Sequence, residues 1–245
     1  MNDEKSHKNV HHILEHISNS PFSISDEISG NLPIKRIKSY IYQMTIGLRF
    51  LHQNSYIHCD MKMENILLSS DKRHIKISDF GLARRITVNY KNHPDTSKLT
   101  FQGTADYLAP EVFLGQEFNH KIDIWSLGVI FYELIVKSSP FDGNTEEEIF
   151  ENSQKLKFQE NILPNYPENE EQGSKLLENM LKIDVKQRFS CAEILEDDWM
   201  KMVSSSIDSQ LEETEKLQLD DKIKLGDLDM DYFQASSLDI GFEKF

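Results

Sequence analysis

Four polar residues in two short segments have the types and spacing that phosphoryl transfer needs. The segment HCDMKMENILL, residues 58–68, contains Asp60, Lys62 and Asn65, and Asp79 opens the tripeptide DFG further along the chain. Asp60 could orient a hydroxyl nucleophile and accept its proton, and Lys62 could neutralise charge on the moving phosphoryl group. Asn65 and Asp79 could hold Mg²⁺. Each residue alone is weak evidence, because an Asp in a loop is more often a turn residue.

The order of several motifs along the chain is far more specific than any one of them. After HCDMKMEN and DFG come GTADYLAPE (103–111), DIWSLGV (123–129), SPF (139–141) and Arg188. In this order the motifs resemble the C-terminal lobe of a eukaryotic protein kinase, over residues 10–202, and are most similar to the cyclic-nucleotide-dependent and calmodulin-dependent groups. The resemblance implies a serine/threonine kinase that binds ATP and Mg²⁺ and phosphorylates protein substrates.

The resemblance also implies a role for each matching residue of the catalytic segments. Asp60 is similar to the catalytic base, and Lys62 to the lysine that contacts the γ-phosphate. Asn65 and Asp79 are similar to the two metal ligands. Thr104 is similar to the residue that hydrogen-bonds the base and favours Ser or Thr acceptors. Tyrosine kinases usually lack a lysine at the position of Lys62, so the resemblance favours Ser/Thr specificity.

Three acidic residues match positions where basophilic kinases bind the arginines of their substrates. These are Glu64, Asp106 and Glu133. A carboxylate at such a position can accept a bidentate pair of hydrogen bonds from arginine. Alternatively, Glu64 and Glu133 are fold residues that kinases with other preferences share. The first interpretation predicts substrates with basic residues near the acceptor hydroxyl.

Three further matches imply structural roles. Glu111 and Arg188 resemble the buried ion pair that holds the end of the activation segment. Asp123 resembles the helix carboxylate that accepts hydrogen bonds from the backbone of the catalytic loop. We expect these residues to position the site without touching substrate.

One position of the catalytic segment departs from most regulated kinases, which have arginine where this chain has Cys59. A thiol with an ordinary pKa of about 8.5 is mostly neutral at pH 7 and cannot supply a fixed positive charge. Thr100 resembles an activating phosphorylation site, and Arg84 resembles a second basic contact for its phosphate. One cation binds a phosphate more weakly than a cluster does. We therefore expect only a modest dependence of activity on phosphorylation of Thr100. A redox or metal role for Cys59 is the alternative.

The elements that must position these residues can be predicted from periodicity. Pro33 precedes a helical pattern of apolar residues, and Pro suits the first turn of a helix. The runs NILL and HIKISDF predict two strands around the turn SSDKR. A long loop is predicted over residues 82–110 and a central helix over residues 122–136. Further helices are predicted for SKLLENML, SCAEIL and the segment at Trp199. The fold class is therefore α+β, mainly helical, with short β-hairpins at the catalytic loop. The apolar positions after Pro33 are Ile34, Ile37, Ile41, Met44, Leu48 and Leu51.

Composition excludes several other classes of protein. The chain has 245 residues, a formal net charge of −14 and two cysteines. The negative charge disfavours nucleic acid and anionic membranes as partners and favours basic protein segments. Two cysteines cannot form a disulfide framework, and the polar N-terminus has no secretory signal, so we expect a cytoplasmic protein, with the nucleus as a second possibility. The apolar stretch 122–136 is too short to span a bilayer.

The first part of the chain lacks the motifs of a kinase N-terminal lobe. No Gly-x-Gly occurs in the sequence, and no VAIK-like strand precedes His58. We expect a C-terminal lobe over residues 1–203, with the N-terminal lobe absent, and an acidic, flexible tail over residues 204–245. The chain is then either an N-terminally truncated kinase or an inactive lobe that binds basic protein segments. The intact catalytic residues favour the first interpretation.

Overall fold

The computed structural model describes residues 22–27, 30, 32–85, 105–141, 143–155 and 171–201. These residues form a mainly helical α+β structure, as the sequence predicts. The predicted tail, Thr100, Thr104 and most of the predicted loop lie outside the described residues. The helices are α1 (Ile34–Gln53), α2 (Pro110–Phe113), α3 (Lys121–Val136), α4 (Glu146–Gln154), α5 (Glu171–Met180) and α6 (Cys191–Glu196). The strands are β1 (Phe22–Ser23), β2 (Tyr56–Ile57), β3 (Ile66–Leu68), β4 (Ile75–Ile77) and β5 (Arg84–Arg85).

Helix α1 confirms the helix predicted after Pro33. Its buried face includes five of the predicted apolar positions, and it packs against α3, α6 and β4. The helix ends where Ser55 takes a φ of 65°, so that the chain turns into β2. The five buried positions are Ile37, Ile41, Met44, Leu48 and Leu51.

Helix α3 lies at the centre of the core, as its almost continuous apolar sequence predicts. It packs against α1 on one side and α5 on the other. Gly128 permits the close approach of α5, because a Cβ atom at this position would lie 2.8 Å from the side chain of Leu181. Trp125 and Phe131 are fully buried; the ring of Trp125 stacks on Phe141, and the ring of Phe131 lies tilted against Trp199. The rigid core therefore surrounds the helix that carries Asp123 and Glu133.

The strands form two small antiparallel sheets. Strands β3 and β4 are the hairpin predicted around SSDKR, with Ile66 opposite Ile77, and β1 adds a third strand beside β3. In the second sheet β2 pairs with β5, so that Ile57 lies opposite Arg84. The prediction of hairpins is wrong for this second sheet, because the whole β3–β4 hairpin separates its two strands in sequence. The pairing closes the catalytic segment into a loop.

Helix α1 also holds the β3–β4 hairpin through side chains. The hydroxyl of Tyr40 donates to the carbonyl of Lys72 at 2.8 Å. Gln43 accepts from the N–H of Ile75 at 3.0 Å and donates to the carbonyl of Arg73 at 2.9 Å. The hairpin begins after Asn65 and ends before Asp79, so these bonds fix the distance between the two predicted metal ligands.

The predicted C-terminal helices are also present. Helices α5 and α6 correspond to SKLLENML and SCAEIL, and residues 198–201 form a last helical turn. Ser190 caps α6 through a capping box with Glu193. Within the described ranges, no helix combines the length and the apolar character needed to cross a membrane.

Candidate active site

One buried carboxylate of α3 binds the backbone of the catalytic segment. Asp123 is 1% exposed and accepts the backbone N–H groups of His58 at 2.9 Å and Cys59 at 3.0 Å. Cys59 has a φ of 66°, a conformation that L-residues rarely adopt. The two bonds to Asp123 therefore stabilise a backbone turn that the local sequence does not favour.

His58 connects the catalytic segment to the DFG segment. Its Nδ1 accepts the N–H of Asp60 at 3.3 Å, so its Nε2 carries the proton and donates to the carbonyl of Ser78 at 3.0 Å. Its ring packs edge-on against Phe80 at 5.0 Å. Sequence reasoning assigned no role to His58, although its place beside Asp60 was a usable signal. The buried ring fixes Asp60 relative to Asp79.

Asp60, Lys62 and Asn65 converge on one carboxylate oxygen. Lys62 donates from Nζ to Oδ2 of Asp60 at 2.8 Å. The Nδ2 of Asn65 donates to the same oxygen at 2.9 Å and to the carbonyl of Asp60 at 2.8 Å. The short 3₁₀ helix Met63–Asn65 turns the chain so that these contacts are possible. The structure thus brings together the three residues that spacing alone had suggested.

Asp79 follows the hairpin and is linked to this group through its neighbour Ser78. The N–H and the hydroxyl of Ser78 both donate to the carbonyl of Asn65, at 2.8 and 2.9 Å. Asp79 has a φ of 58°, and its Oδ1 accepts the N–H of Gly81 at 3.2 Å, while the side chain is exposed. This left-handed turn comes directly after Ser78, whose two hydrogen bonds hold the end of the hairpin beside Asn65.

The oxygen atoms of Asn65 and Asp79 suit Mg²⁺. Since Nδ2 of Asn65 donates to Asp60, its amide oxygen is the atom available to a cation. Mg²⁺ commonly takes few protein ligands and completes its octahedral shell with water and phosphate oxygens. Among the described residues, no group of three or more His, Cys, Asp or Glu side chains forms a self-sufficient metal site. The donor set therefore fits a metal that arrives with a phosphate ligand.

The three acidic residues assigned to substrate binding form an acidic cluster (Glu64, Asp106 and Glu133). Glu133 is 8% exposed and accepts the hydroxyl of Tyr107 at 2.7 Å. The pKa of Glu133 is raised to about 7, mainly by burial; Asp106 and Glu64 add to this rise, and the hydrogen bond from the Tyr107 hydroxyl opposes it. Burial, with Glu133 and Glu64 nearby, raises the pKa of Tyr107 above its ordinary value. The carboxylates of the acidic cluster are thus close enough to influence one another electrostatically.

The predicted ion pair is present and fully enclosed. Arg188, 0% exposed, donates from Nη1 and Nη2 to the carboxylate of Glu111 at 2.6 and 2.9 Å. Its Nε donates to the carbonyl of Lys182 at 2.9 Å, and Nη1 also donates to the carbonyl of Lys121 at 3.0 Å. The guanidinium lies over the ring of Trp125 at 5.0 Å. This pair joins α2 to the segment before α6.

Cys59 lies beside the charged groups but stays neutral. Burial is the main reason that its pKa lies far above the ordinary value; Asp123 and Asp60 add to the rise, and Arg84 opposes it. Its thiol donates to the carbonyl of Ile57 at a long 3.8 Å. The β2–β5 pairing places Arg84 on the strand opposite Ile57. Arg84 is therefore a charged neighbour of the Cys59 thiol, which stands where most regulated kinases have arginine.

Comparison with known proteins gives a consistent result. A family model described as "Protein kinase domain" matches residues 2–200. Aurora kinase of Debaryomyces hansenii is 34% identical over 200 residues, which cover 79% of this chain and 45% of that protein. Protein kinase C-like 1 of Caenorhabditis elegans is 41% identical over 116 residues, covering 47% of this chain and 16% of the relative. Protein kinase C delta type of Homo sapiens is 34% identical over 139 residues, covering 57% and 20%.

The coverage limits what these matches establish. The chain spans less than half the length of these curated relatives. The match begins at residue 2, so the predicted absence of an N-terminal lobe is not confirmed. The match ends at residue 200, and the boundary predicted at residue 203, with the acidic tail after it, stays a prediction.

Proposed function

This chain belongs to the protein kinase domain family, and on that premise we propose that it transfers the γ-phosphate of ATP to serine or threonine hydroxyls of proteins. The observation that carries the proposal is the convergence of Lys62 and Asn65 on one oxygen of Asp60, at 2.8 and 2.9 Å. That convergence gives a carboxylate of defined orientation beside a lysine ammonium. Both side chains are partly exposed, Asp60 by 12% and Lys62 by 21%, so a substrate can reach them.

Asp60 acts as the base in this proposal. Its carboxylate orients the substrate hydroxyl and accepts its proton as the oxygen attacks phosphorus. Lys62 exchanges its bond with Asp60 for a contact to the transferred phosphoryl group and neutralises developing charge. Magnesium-bound ATP supplies the phosphoryl group, and Asn65 and Asp79 are the residues that would hold its metal. Thr104, outside the described residues, is assigned to the base as its hydrogen-bond partner.

We assign the acidic cluster to recognition of basic residues in the substrate. Three carboxylates that influence each other electrostatically lie close to the catalytic segment, since Glu64 belongs to the same 3₁₀ helix as Asn65. A guanidinium placed among them would replace the repulsion between like charges with bidentate hydrogen bonds. Because the pKa of Glu133 is about 7, this binding is stronger above neutral pH.

Regulation through Thr100 is proposed to be weak. The neutral thiol of Cys59 offers a phosphate no charge, which leaves Arg84 as the cation assigned to it. We expect Thr100→Ala to lower activity only severalfold, because a single ion pair at a surface is worth little. A hundredfold loss in a phosphotransfer assay would contradict this assignment.

The test of the proposed function is phosphate transfer from labelled ATP to a basic peptide by the purified chain. The matched variant is Asp60→Asn, which keeps the size of the side chain and the contact with Asn65. General-base assistance is worth about 10²- to 10⁴-fold, so the rate falls by that factor. Thermal unfolding of both proteins checks that they are equally folded. Equal transfer by both proteins, including none by either, overturns the proposal.

A further inference from the structure

A buried row of three side chains connects α6 to the catalytic segment. The Sγ of Cys191 lies 3.4 Å from Nδ1 of His52, and Nε2 of His52 lies 2.8 Å from Oδ2 of Asp123. Asp123 in turn accepts the backbone N–H groups of His58 and Cys59. The three side chains come from the last turn of α1, the first turn of α3 and the first residue of α6. All three are buried, so water does not compete for these contacts.

Hydrogen-bond chemistry assigns the protons along this row. A carboxylate that already accepts two N–H groups has only acceptor oxygens to offer, so Nε2 of His52 carries the proton that it shares with Asp123. In a neutral ring Nδ1 is then an acceptor, and the thiol of Cys191 is the donor. Burial raises the pKa of Cys191 to about 12, so the thiol keeps its proton.

The other charged groups near the row do not change this assignment. The ring of His120 lies 5.1 Å from that of His52, and burial, with His52 and Lys121 nearby, lowers the pKa of His120. His120 is therefore a neutral neighbour at pH 7. Arg49 acts on the thiol of Cys191 only as a weaker influence than burial and Asp123.

Two independent devices fix the position of Cys191. Arg188, three residues earlier, is locked by its bonds to Glu111 and two carbonyls. Ser190 caps the first turn of α6, accepting from the N–H of Glu193, whose carboxylate accepts the N–H of Ser190. The position of the Cys191 thiol beside His52 is therefore well defined, although the two residues are far apart in sequence.

We infer that Cys191 is a positioning residue for the catalytic segment, acting through His52 and Asp123. Its S–H occupies Nδ1 and acts together with the acceptor oxygens of Asp123 to hold the ring in the tautomer in which Nε2–H donates to Asp123. The other tautomer would turn the lone pair of Nε2 toward the carboxylate and push Asp123 away from the N–H groups of His58 and Cys59. The effect of this residue on catalysis depends on the proposed function, whereas the hydrogen-bond row does not.

Nitrogen NMR of the histidine rings tests the inference directly on the full chain with labelled histidine. In the unaltered protein the proton of His52 is on Nε2. Cys191→Ala and the better-filling Cys191→Val both remove the donor, and we expect a mixture of tautomers in each. Amide hydrogen exchange at His58 and Cys59 should accelerate by about tenfold, the scale expected when one buried hydrogen bond is lost.

Two matched variants separate positioning from general destabilisation. Cys191→Ser keeps a donor and should restore both the tautomer and the slow exchange. Thr45→Val removes a buried hydroxyl of the same helix as His52, which donates to the carbonyl of Ile41 and, among the described residues, makes no hydrogen bond to the row, and should change neither. A pure Nε2–H tautomer in Cys191→Ala and Cys191→Val overturns the inference, as does an equal change in Thr45→Val.

Kinetic measurements complete the test and keep it separate from the test of the proposed function. The kcat/KM of Cys191→Ala for a basic peptide should fall about tenfold and recover in Cys191→Ser. A changed tautomer with an unchanged kcat/KM overturns the positioning role. Absence of phosphate transfer in every variant overturns the proposed function, and the NMR and exchange results then decide the hydrogen-bond row alone.

Discussion

Two buried carboxylates lie at opposite ends of α3 and behave differently. Asp123, in the first turn, accepts two backbone N–H groups and the ring of His52. Glu133, in the last turn, accepts only the hydroxyl of Tyr107 among the contacts described, and burial raises its pKa to about 7. The helix dipole favours negative charge at the N-terminal end and disfavours it at the C-terminal end.

The comparison shows that burial alone does not decide what a carboxylate does. Donors around Asp123 replace the water it has lost, and the residue becomes a permanent support for the catalytic segment. Glu133 is buried with few donors and has two acidic neighbours, Asp106 and Glu64, so below about pH 7 it holds a proton that a ligand can displace. One end of the helix therefore holds the catalytic loop, and the other is suited to binding a cation.

The largest expected effect comes from removing the support at the first turn. Asp123→Ala leaves the N–H groups of His58 and Cys59 buried without an acceptor, and it should lower the free energy of unfolding by about 2–5 kcal/mol. Urea unfolding measures this change. Glu133→Ala is the matched variant from the same helix and should cost less, because it leaves one hydroxyl unpaired. Equal losses in the free energy of unfolding for the two variants would contradict the proposed difference between the ends of α3.

The second effect is a pH dependence of stability from Glu133. Its pKa is about 7 in the folded protein against an ordinary value of 4.5, so between these values the folded state binds a proton that the unfolded chain releases. This contribution to the free energy of unfolding is complete below pH 4.5 and is lost as pH rises through 7, by about 3 kcal/mol in total. Glu133→Gln should remove it.

Urea unfolding of both proteins at several pH values from 4.5 to above 7 checks this sign. Relative to the unaltered chain, Glu133→Gln should gain stability as pH rises through 7. Glu196→Gln is the control, because Glu196 is exposed at the end of α6 and is not among the groups that shift the pKa of Glu133. A profile of Glu133→Gln parallel to that of the unaltered chain would show that Glu133 does not titrate in this range.

The third effect concerns substrate binding at the same residue. The KM for an arginine-containing peptide should fall about tenfold as pH rises through the pKa of Glu133, since a new charge pair of this kind is worth about 1.4 kcal/mol. Glu133→Gln should give a KM independent of pH over that range. A peptide without arginine serves as the control, and the same pH dependence with that peptide would remove the acidic cluster from substrate binding.

The smallest effect comes from Tyr107→Phe. Loss of its hydroxyl removes the hydrogen bond that opposes the rise in the pKa of Glu133, so the pH transitions in stability and KM should move upward. The change in stability above neutral pH should be about 0.5–1.5 kcal/mol, the usual net worth of one hydrogen bond. A downward shift of either transition would contradict the assignment of Tyr107 as the donor.

Local patterns in the sequence determined much of the fold. Helices α1 and α3 follow from apolar periodicity and an apolar run, and the β3–β4 hairpin from two short apolar runs around a polar turn. Asp60, Lys62 and Asn65 are so close in sequence that a single 3₁₀ turn brings them together. Each of these features depends on backbone preferences within a few residues, which a sequence displays directly.

Other features of the site depend on how the helices pack. The β2–β5 pairing, the row from Cys191 through His52 to Asp123 and the bond from Tyr107 to Glu133 join residues distant in sequence. No spacing rule reveals such contacts, because α1, α3 and α6 must first bury their apolar faces against one another. The sequence by itself determined which residues carry the chemistry. The tertiary structure decided which carboxylate receives backbone donors and supports the catalytic segment, and which one has its pKa raised by burial.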